Sequence, residues 1–290
     1  MRKRSLIITF VLCVSTVIGG GLYYYKYHHI NNRTNLATLP GVNIIDLNSE
    51  RYIELPLFTK ERYALTATGI SYNESDKAFY IGNYGKSSKD DKAFYPSIEK
   101  IDSNSLEIID EYLIENIKEG VDIQGIAYDK SSNSLWYTNG NSVINYSIDQ
   151  KKENSSFSIG KYKRYKANGI CIDTQDASLW VLCMYKYLLH FNQDGSLIKT
   201  YNCDFIGQDH ICMDKQGKLY ISAGIDYQGN DNFVVSYNKN LTADKVYRVN
   251  ESYAIEGIAI IDSKLYVVND GYYHDAKIRS NYIQEYSIIE

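Results

Sequence analysis

A pattern of hydrophobic and polar residues recurs five times along the chain. Each copy begins with a glycine or a histidine, continues through a short apolar run and a polar turn, and ends in a second apolar or aromatic run. The copies start at Gly69, Gly125, Gly169, His210 and Gly257. Successive starts are 56, 44, 41 and 47 residues apart, and repeats of this size that contain short strands are typical of β-propellers. The pattern therefore predicts an all-β fold.

We interpret each repeat as one four-stranded blade. The first apolar run is the innermost strand, the Leu-Trp or Leu-Tyr run is the second, and two further strands follow after polar turns. The last repeat stops after its third strand, within 282–288, and the segments Val42–Asp46 and Tyr52–Leu57 can supply the missing outer strand and remove the open edges. Five strand-pair units are clear and a sixth would need the terminal segments. We therefore expect a β-propeller of five or six four-stranded blades.

The connections between strands differ in length on the two faces of the predicted propeller. Turns between first and second strands are short, whereas three connections after second strands are long, at Asn83–Ser97, Gly224–Asn232 and Asn269–Asn281. The long connections share one face, the loop face, and the short turns lie on the opposite face, the turn face. Binding residues concentrate on long loops held by a rigid sheet, and the 29 tyrosines offer large contact surfaces. We expect a small-molecule or protein ligand on the loop face.

The first 25 residues have the character of a membrane segment. Met1–Arg4 is basic, and Ser5–Tyr25 has no formal charge. A segment of this length, 21 residues, can cross a bilayer as one helix. Basic residues in front of such a helix place that end in the cytoplasm. The sequence predicts a transmembrane signal-anchor or a signal peptide over 1–25, a linker over 26–40 and the propeller over 41–290. The propeller then lies outside the cytoplasm, held at the cell membrane by this helix or secreted if the segment is cleaved.

Charge gives no indication of a nucleic-acid partner. The formal net charge is −4, and no wide basic surface is predicted. One basic stretch with interleaved aromatics, Lys161–Lys166, is either a solvated outer strand and loop or a site for anionic polymers or lipid headgroups. The chain has no Gly-x-Ser-x-Gly motif, and its five histidines form no recognisable triad.

Four cysteines follow the N-terminal segment, at Cys171, Cys183, Cys203 and Cys212. Cys171 and Cys212 occupy the same repeat position, where a small buried apolar residue is expected. The thiols are therefore either buried and free or, because an exported location permits disulfides, joined in at least one bridge. Cys203 and Cys212 are the closest pair in sequence. The chain has no Cys-x-x-Cys motif, so its cysteines give no indication of a structural zinc site.

A ring of polar residues is predicted at the axis of the propeller. One such residue stands immediately before each innermost strand and points toward the channel: Thr68, Gln124, Asn168, Asp209 and Glu256. The side-chain oxygens of Asn168, Asp209 and Glu256 are ligands that calcium and magnesium prefer. The alternative is that polar groups simply line a water-filled channel.

Two of the repeat starts resemble an enzyme family. Ala167–Ile170 and Gln208–Tyr220 are similar to the Asn-Gly and Asp-Gly strand starts of the gluconolactonase (regucalcin-like) propellers, and Glu256–Val268 is similar to repeats of the SdiA-regulated propeller family. In gluconolactonase-type enzymes the Asn and the Asp, with a Glu, bind a divalent cation that polarises a lactone carbonyl and activates water. The resemblance implies that Asn168 and Asp209 hold such a cation.

The chain departs from the gluconolactonase pattern at two positions. The family places its glutamate in the first blade, where this chain has Thr68, whereas Glu256 lies in the last repeat. His210 replaces the glycine that follows the aspartate. His210 or Asp209 is then the nearest proton acceptor for a catalytic reaction.

A second acidic cluster, Asn269–Asp275, lies on the predicted loop face. Its Asn269-Asp270 pair is similar to the Asn-Asp of paraoxonase-like propellers. Together with Thr68 and Gln124, these two residues are candidates for ligand binding. The alternative is turn chemistry, because Asn and Asp beside glycine suit positive φ.

Two functional hypotheses follow. The first is a membrane-anchored extracytoplasmic β-propeller that acts as a ligand- or protein-binding module through its loop face. The alternative is a divalent-metal-dependent lactonase or esterase of the gluconolactonase type, with calcium as the cofactor. A cation between Asn168, Asp209 and Glu256 would favour the enzyme, and a channel plugged by side chains would exclude it.

Overall fold

Five small β-sheets make up the part of the chain that the structure describes. The computed structural model describes residues 42–56, 66–84, 96–114, 123–184, 187–202, 210–223, 226–229 and 231–288. The predicted membrane segment and linker, 1–25 and 26–40, lie outside these residues. Within the described ranges, no helix is long and apolar enough to cross a bilayer.

Each sheet contains one blade of four antiparallel strands, and one sheet carries a fifth strand, which confirms the propeller and gives five blades. Two short strands precede the first blade: β1 (Ile44–Leu47) and β2 (Arg51–Glu54). Blade 1 contains β3 (Ala67–Asn73), β4 (Ala78–Asn83), β5 (Ser97–Asp102) and β6 (Ile108–Leu113). Blade 2 contains β7 (Ile126–Asp129), β8 (Ser134–Thr138), β9 (Ser142–Ser147) and β10 (Lys152–Ser158).

In every blade the first strand named is the innermost and the last is the outermost of the four, and the remaining three blades follow this order. Blade 3 contains β11 (Ala167–Ile172), β12 (Leu179–Cys183), β13 (Tyr187–Phe191) and β14 (Leu197–Asn202). Blade 4 contains β15 (Ile211–Met213), β16 (Leu219–Ala223), β17 (Phe233–Tyr237) and β18 (Ala243–Val249). Blade 5 contains β19 (Ile255–Ile261), β20 (Lys264–Asp270) and β21 (Asn281–Ser287), with β2 as its outer strand.

The N-terminal strands close the ring at two neighbouring blades. β2 pairs antiparallel with β21, with Ile53 opposite Ile283, and so completes blade 5 as predicted. β1 does not join that blade, contrary to our expectation for Val42–Asp46. It pairs in parallel with β18 and becomes a fifth strand of blade 4. Leu47 of β1 is buried in the cluster that contains Tyr286, so β1 covers apolar residues between blades 4 and 5. The sequence pattern did not predict this contact.

Asp and Asn side chains build the short turns of the turn face. Asn73, Asp129, Asp173 and Asp214 each accept a backbone N–H bond from the turn through Oδ1. Blade 5 instead uses a two-residue turn, Asp262–Ser263, in which both residues have positive φ, 47° and 63°. The Asp that recurs in the sequence pattern therefore shapes turns.

The hydrophobic core lies between neighbouring blades. The second strands β4, β8, β12 and β16 are buried at every position, because each blade is covered on both faces. Tyr80 of blade 1 and Tyr137 of blade 2 belong to one shared cluster. Trp136 packs on the other face of blade 2, against residues of blade 3. The aromatic second strands thus hold adjacent blades together.

The basic stretch Lys161–Lys166 differs from its prediction. Its first five residues lie in a 3₁₀ helix, Gly160–Tyr165, and Lys166 follows that helix, where we expected an outer strand and loop. Gly160, the first residue of this helix, has a φ of 60°. No residue of this helix is buried. The expectation of an anionic partner for it stays a prediction.

Three of the four cysteines can be described. Cys171, Cys183 and Cys212 are buried and free, as one of the two alternatives expected. Because Cys212 is free, it forms no bridge with Cys203, which lies outside the described residues.

Candidate functional site

β-Bulges interrupt three inner strands at predicted ring residues. In β11 and β19 the pairing with the second strand skips Asn168 and Glu256 respectively, and in β3 it skips both Thr68 and Gly69. Thr68 and Asn168 are buried, and Gln124 and Glu256 are half-buried. Asp209 lies outside the described residues. In three of the five repeats, the polar residue before the apolar run therefore lies in a β-bulge.

The glycine after each ring residue is required by close contact between inner strands. A Cβ on Gly125 would lie 2.5 Å from Ile170 N, and one on Gly257 would lie 2.9 Å from Ile70 N. No side chain fits between backbones at these distances. Four repeats therefore need glycine at this position, and the fifth carries His210.

His210 closes the axis. Its Nδ1 accepts a hydrogen bond from the Ile258 N–H of blade 5 at 3.3 Å, and a Cβ on Gly69 of blade 1 would lie 2.8 Å from its Nε2. A ring that starts in blade 4 and contacts blades 5 and 1 must cross the axis. Since Nδ1 accepts, Nε2 carries the proton, and it has no hydrogen-bond partner among the described residues. Burial lowers the pKa of His210 to about 4, which keeps the imidazole neutral.

An acidic centre lies on the loop face of blade 5. His274 Nε2 lies 2.6 Å from Glu256 Oε1. Asp270, at the end of β20, is fully buried, and its Oδ1 accepts the Tyr273 N–H at 2.9 Å. Its Oδ2 has no hydrogen-bond partner in the part of the chain that the structure describes. We call Glu256, Asp270 and His274 the acidic centre.

Burial sets the charge of these carboxyl groups. It raises the pKa of Glu256 to about 8. It also raises the pKa of Asp270 to about 8, with a further contribution from the negative charge of Glu256 and an opposing one from His274. Both carboxyls therefore bind or release protons near neutral pH.

The connection between β20 and β21 positions the histidine. Gly271 N donates to Ser280 O at 3.1 Å, and His274 N donates to Asp270 O at 3.4 Å, so the connection folds back over the blade. A Cβ on Gly271 would overlap the Ile278 carbonyl oxygen, which explains the glycine. This folding carries His274 to Glu256, 18 residues earlier in the chain.

Aromatic rings from neighbouring blades surround the acidic centre. The Tyr227 ring of blade 4 stacks on His274, with centroids 4.5 Å apart and planes at 17°. Tyr273 meets His274 edge-on at 5.1 Å, and Tyr84, which follows β4 of blade 1, lies 5.9 Å from Tyr273. We call the acidic centre and these three tyrosines the loop-face site.

Asn269 has a different role from its neighbour Asp270. Its Oδ1 accepts hydrogen bonds from Ser252 Oγ at 2.6 Å and from Ala254 N at 3.2 Å. Asn83 Oδ1 makes the equivalent bond to Thr66 N in blade 1. The geometry therefore favours a structural role for Asn269, while Asp270 belongs to the site.

The predicted calcium site remains a prediction. Of its three ligands, Glu256 is engaged by His274, Asn168 is buried, and Asp209 is not described. Among the described residues, three ligand atoms of His, Cys, Asp or Glu lie within 4.8 Å of one another only at Asp173, Asp176 and His190. Those residues lie in blade 3, and their oxygens and nitrogen already bond Trp180 and Ser178.

Sequence reasoning identified Glu256, Asp270 and the segment Asn269–Asp275 but did not connect them. His274 was within that segment, although nothing in its spacing showed that it reaches Glu256. Tyr227 carried no signal beyond its place in a long connection. The link depends on the fold of the connection, which periodicity does not encode.

Comparisons with known proteins show the fold and no family. No protein-family model matches the chain, and no curated protein matches it. Among solved structures, Myxococcus xanthus glutaminyl cyclase is 9% identical, with a TM-score of 0.59, over 86% of this chain and 100% of that chain. A chain of a nidogen/laminin complex is 13% identical, with a TM-score of 0.51, over 75% of this chain and 84% of that chain. The chain is a five-bladed β-propeller, and its resemblance to the gluconolactonase and SdiA-regulated families is not confirmed.

Proposed function

We propose that the protein is a membrane-tethered, extracytoplasmic binding module that holds a small-molecule ligand at the loop-face site. The observation that carries the proposal is the buried Asp270 carboxyl, whose Oδ2 has no partner among the described residues. Burying a polar atom without a hydrogen bond costs about 1–3 kcal/mol. Such an atom beside aromatic rings is a group that a ligand would satisfy.

The closed axis supports binding at the mouth of the channel. His210 crosses the axis, and Glu256 is the second residue of the inner strand of blade 5, at its loop-face end. A ligand above His210 would therefore meet a floor formed by the inner strands and walls formed by loops. Loops on a rigid sheet suit this task, since the scaffold keeps their side chains in place.

A ligand screen on the purified full-length protein tests this proposal. Binding should be detected by a rise in melting temperature and confirmed by calorimetry, and Asp270→Asn should weaken it. Asp262→Asn is the matched control, because it makes the same change on the turn face of the same blade, where the side chain is 74% exposed. Ligands that bind both variants equally would place the site elsewhere and contradict the proposal.

A lactonase or esterase activity of the gluconolactonase type is the second candidate. The Glu256–His274 contact of 2.6 Å favours it, because a carboxyl with a pKa of about 8 can donate or accept a proton near neutral pH. A divalent cation on Asn168, Asp209 and Glu256 would supply Lewis acidity. The His210 plug argues against chemistry deep in the channel, so catalysis would be confined to its mouth.

Metal analysis and turnover assays distinguish binding from catalysis. The substrates should include lactones and esters. Turnover that Glu256→Gln abolishes would establish the enzyme. An absence of metal and of turnover would leave ligand binding as the function.

The membrane tether has its own test. In intact cells, the propeller should be accessible to added protease and should remain with the membrane after alkaline carbonate extraction. Release of a shortened chain into the medium would show cleavage of the predicted segment 1–25 and contradict the tether.

A further inference from the structure

We propose that the ligand of the loop-face site carries a primary or secondary ammonium group that donates a hydrogen bond to Asp270 Oδ2. This inference rests on the proposed ligand binding at that site and adds the chemical class of the ligand. Three features of the site support it: a missing positive charge, an unfilled hydrogen-bond acceptor and adjacent aromatic rings.

Among the described residues, none with a permanent positive charge shifts the pKa of either carboxyl group of the acidic centre. The groups whose charges shift the pKa of Asp270 are Glu256 and His274, and burial alone shifts that of Glu256. Two nearby cations are engaged elsewhere. Arg279 Nε lies 2.9 Å from Asp275 Oδ1, and Lys277 Nζ lies 3.1 Å from the Tyr253 hydroxyl.

The raised pKa values follow from that arrangement. A buried carboxylate is stabilised by an opposite charge within about 4–6 Å, and without one it keeps its proton. A cationic ligand would reverse this effect and bind most tightly to the ionised carboxylate. A cationic ligand would therefore supply the positive charge that the described residues around the two carboxyl groups lack.

The unfilled acceptor selects a cation with N–H donors. Asp270 Oδ1 is occupied by the Tyr273 N–H, and Oδ2 is the free position among the described residues. A charge-assisted N–H···O⁻ bond is the stronger form of a side-chain hydrogen bond. A quaternary ammonium group has no N–H and would leave Oδ2 unpaired.

The geometry suits an organic cation better than a metal ion. The only three-ligand group within 4.8 Å in the described residues is the one in blade 3, so Glu256, Asp270 and His274 do not form so tight a shell. The stacked Tyr227 ring and the edge of Tyr273 add aromatic surface beside the carboxyls. Carboxylates flanked by aromatic rings bind organic ammonium groups through charge and cation–π attraction.

Three matched probes test the inference on the full-length protein. Benzylamine, benzyl alcohol and benzyltrimethylammonium share one ring but differ in charge and in N–H donors. In calorimetry, benzylamine should bind at least about tenfold more tightly than either of the other two. Asp270→Asn should remove that preference, and Asp262→Asn should retain it.

The outcomes separate the inference from the proposed function. Equal affinity for benzylamine and benzyl alcohol, or a benzylamine affinity that Asp270→Asn leaves unchanged, would overturn the ammonium inference. Calcium binding that Asp270→Asn abolishes, with no binding of benzylamine, would overturn it in favour of a metal site. A neutral or anionic ligand from the screen that depends on Asp270 would also overturn it, while the proposed binding function would stand.

Discussion

His210 Nδ1 accepts the Ile258 N–H at 3.3 Å and so ties blade 4 to blade 5 at the axis. The same ring reaches Gly69 of blade 1, whereas the other four repeats have glycine at this position and pack backbone on backbone. One side chain therefore supplies contacts to two other blades at the centre of the ring.

Replacing His210 should weaken the whole ring. His210→Ala removes the acceptor of a buried N–H and leaves a cavity, so we expect a loss of about 2–4 kcal/mol in the free energy of unfolding. His210→Asn should lose less, because its Oδ1 can take the place of Nδ1. Urea denaturation measures both. Equal losses for the two variants would contradict the importance of the hydrogen bond to Ile258.

Acidification should destabilise the fold through the same residue. Burial lowers the pKa of His210 to about 4, below its ordinary value of 6.5. The unfolded chain therefore takes up this proton at a higher pH than the folded chain does. The stability that the neutral ring contributes is complete above about pH 6.5 and is lost as the pH falls toward about 4. The wild type should lose more stability than His210→Asn over this window, and a constant difference between them would contradict the assignment.

Asp270 should give stability a pH dependence opposite to that from His210. Burial raises its pKa to about 8 from an ordinary 3.8, so the folded chain holds this proton more tightly than the unfolded chain. The resulting stability is complete below about pH 3.8 and is lost as the pH rises through about 8. The free energy of unfolding of Asp270→Asn, relative to that of the wild type, should rise by more than about 1 kcal/mol between pH 4 and pH 9. Denaturation curves across that range provide the measurement.

A control separates the burial of Asp270 from general charge effects. Asp262→Asn removes the same formal charge at an exposed turn, so its stability relative to the wild type should change little with pH. A similar pH dependence in both variants would show that net charge, rather than the buried carboxyl, governs the effect.

The blades were predictable from sequence because their signals are local. The starts at Gly69, Gly125 and Gly169 recur at intervals of similar size, and each is followed by an apolar run that forms an inner strand. The place of β1 was not predictable, because pairing with β18 joins residues about 200 positions apart. A strand of four residues contains too little pattern to specify which edge it joins.

The candidate site was only partly predictable. Glu256 was found because it occupies a repeat position, and Asp270 because it belongs to the acidic cluster Asn269–Asp275. Their partner His274 lies in a connection without periodicity, and it reaches Glu256 only when Gly271 and the turns after it fold the chain back. The raised pKa values of the two acids depend on burial, which appears only in three dimensions.

Closure of the ring by β2 should be measurable with one pair of substitutions. Ile53 is 2% exposed, pairs with Ile283 and packs in the cluster between blades 5 and 1. Ile53→Ala should therefore cost about 2–4 kcal/mol of unfolding free energy. Ile109→Ala makes the same change in the outer strand of blade 1, where the side chain is 48% exposed, and should cost less than about 1 kcal/mol. If the two variants were equally stable in denaturation experiments, β2 would not be the strand that holds the first and last blades together.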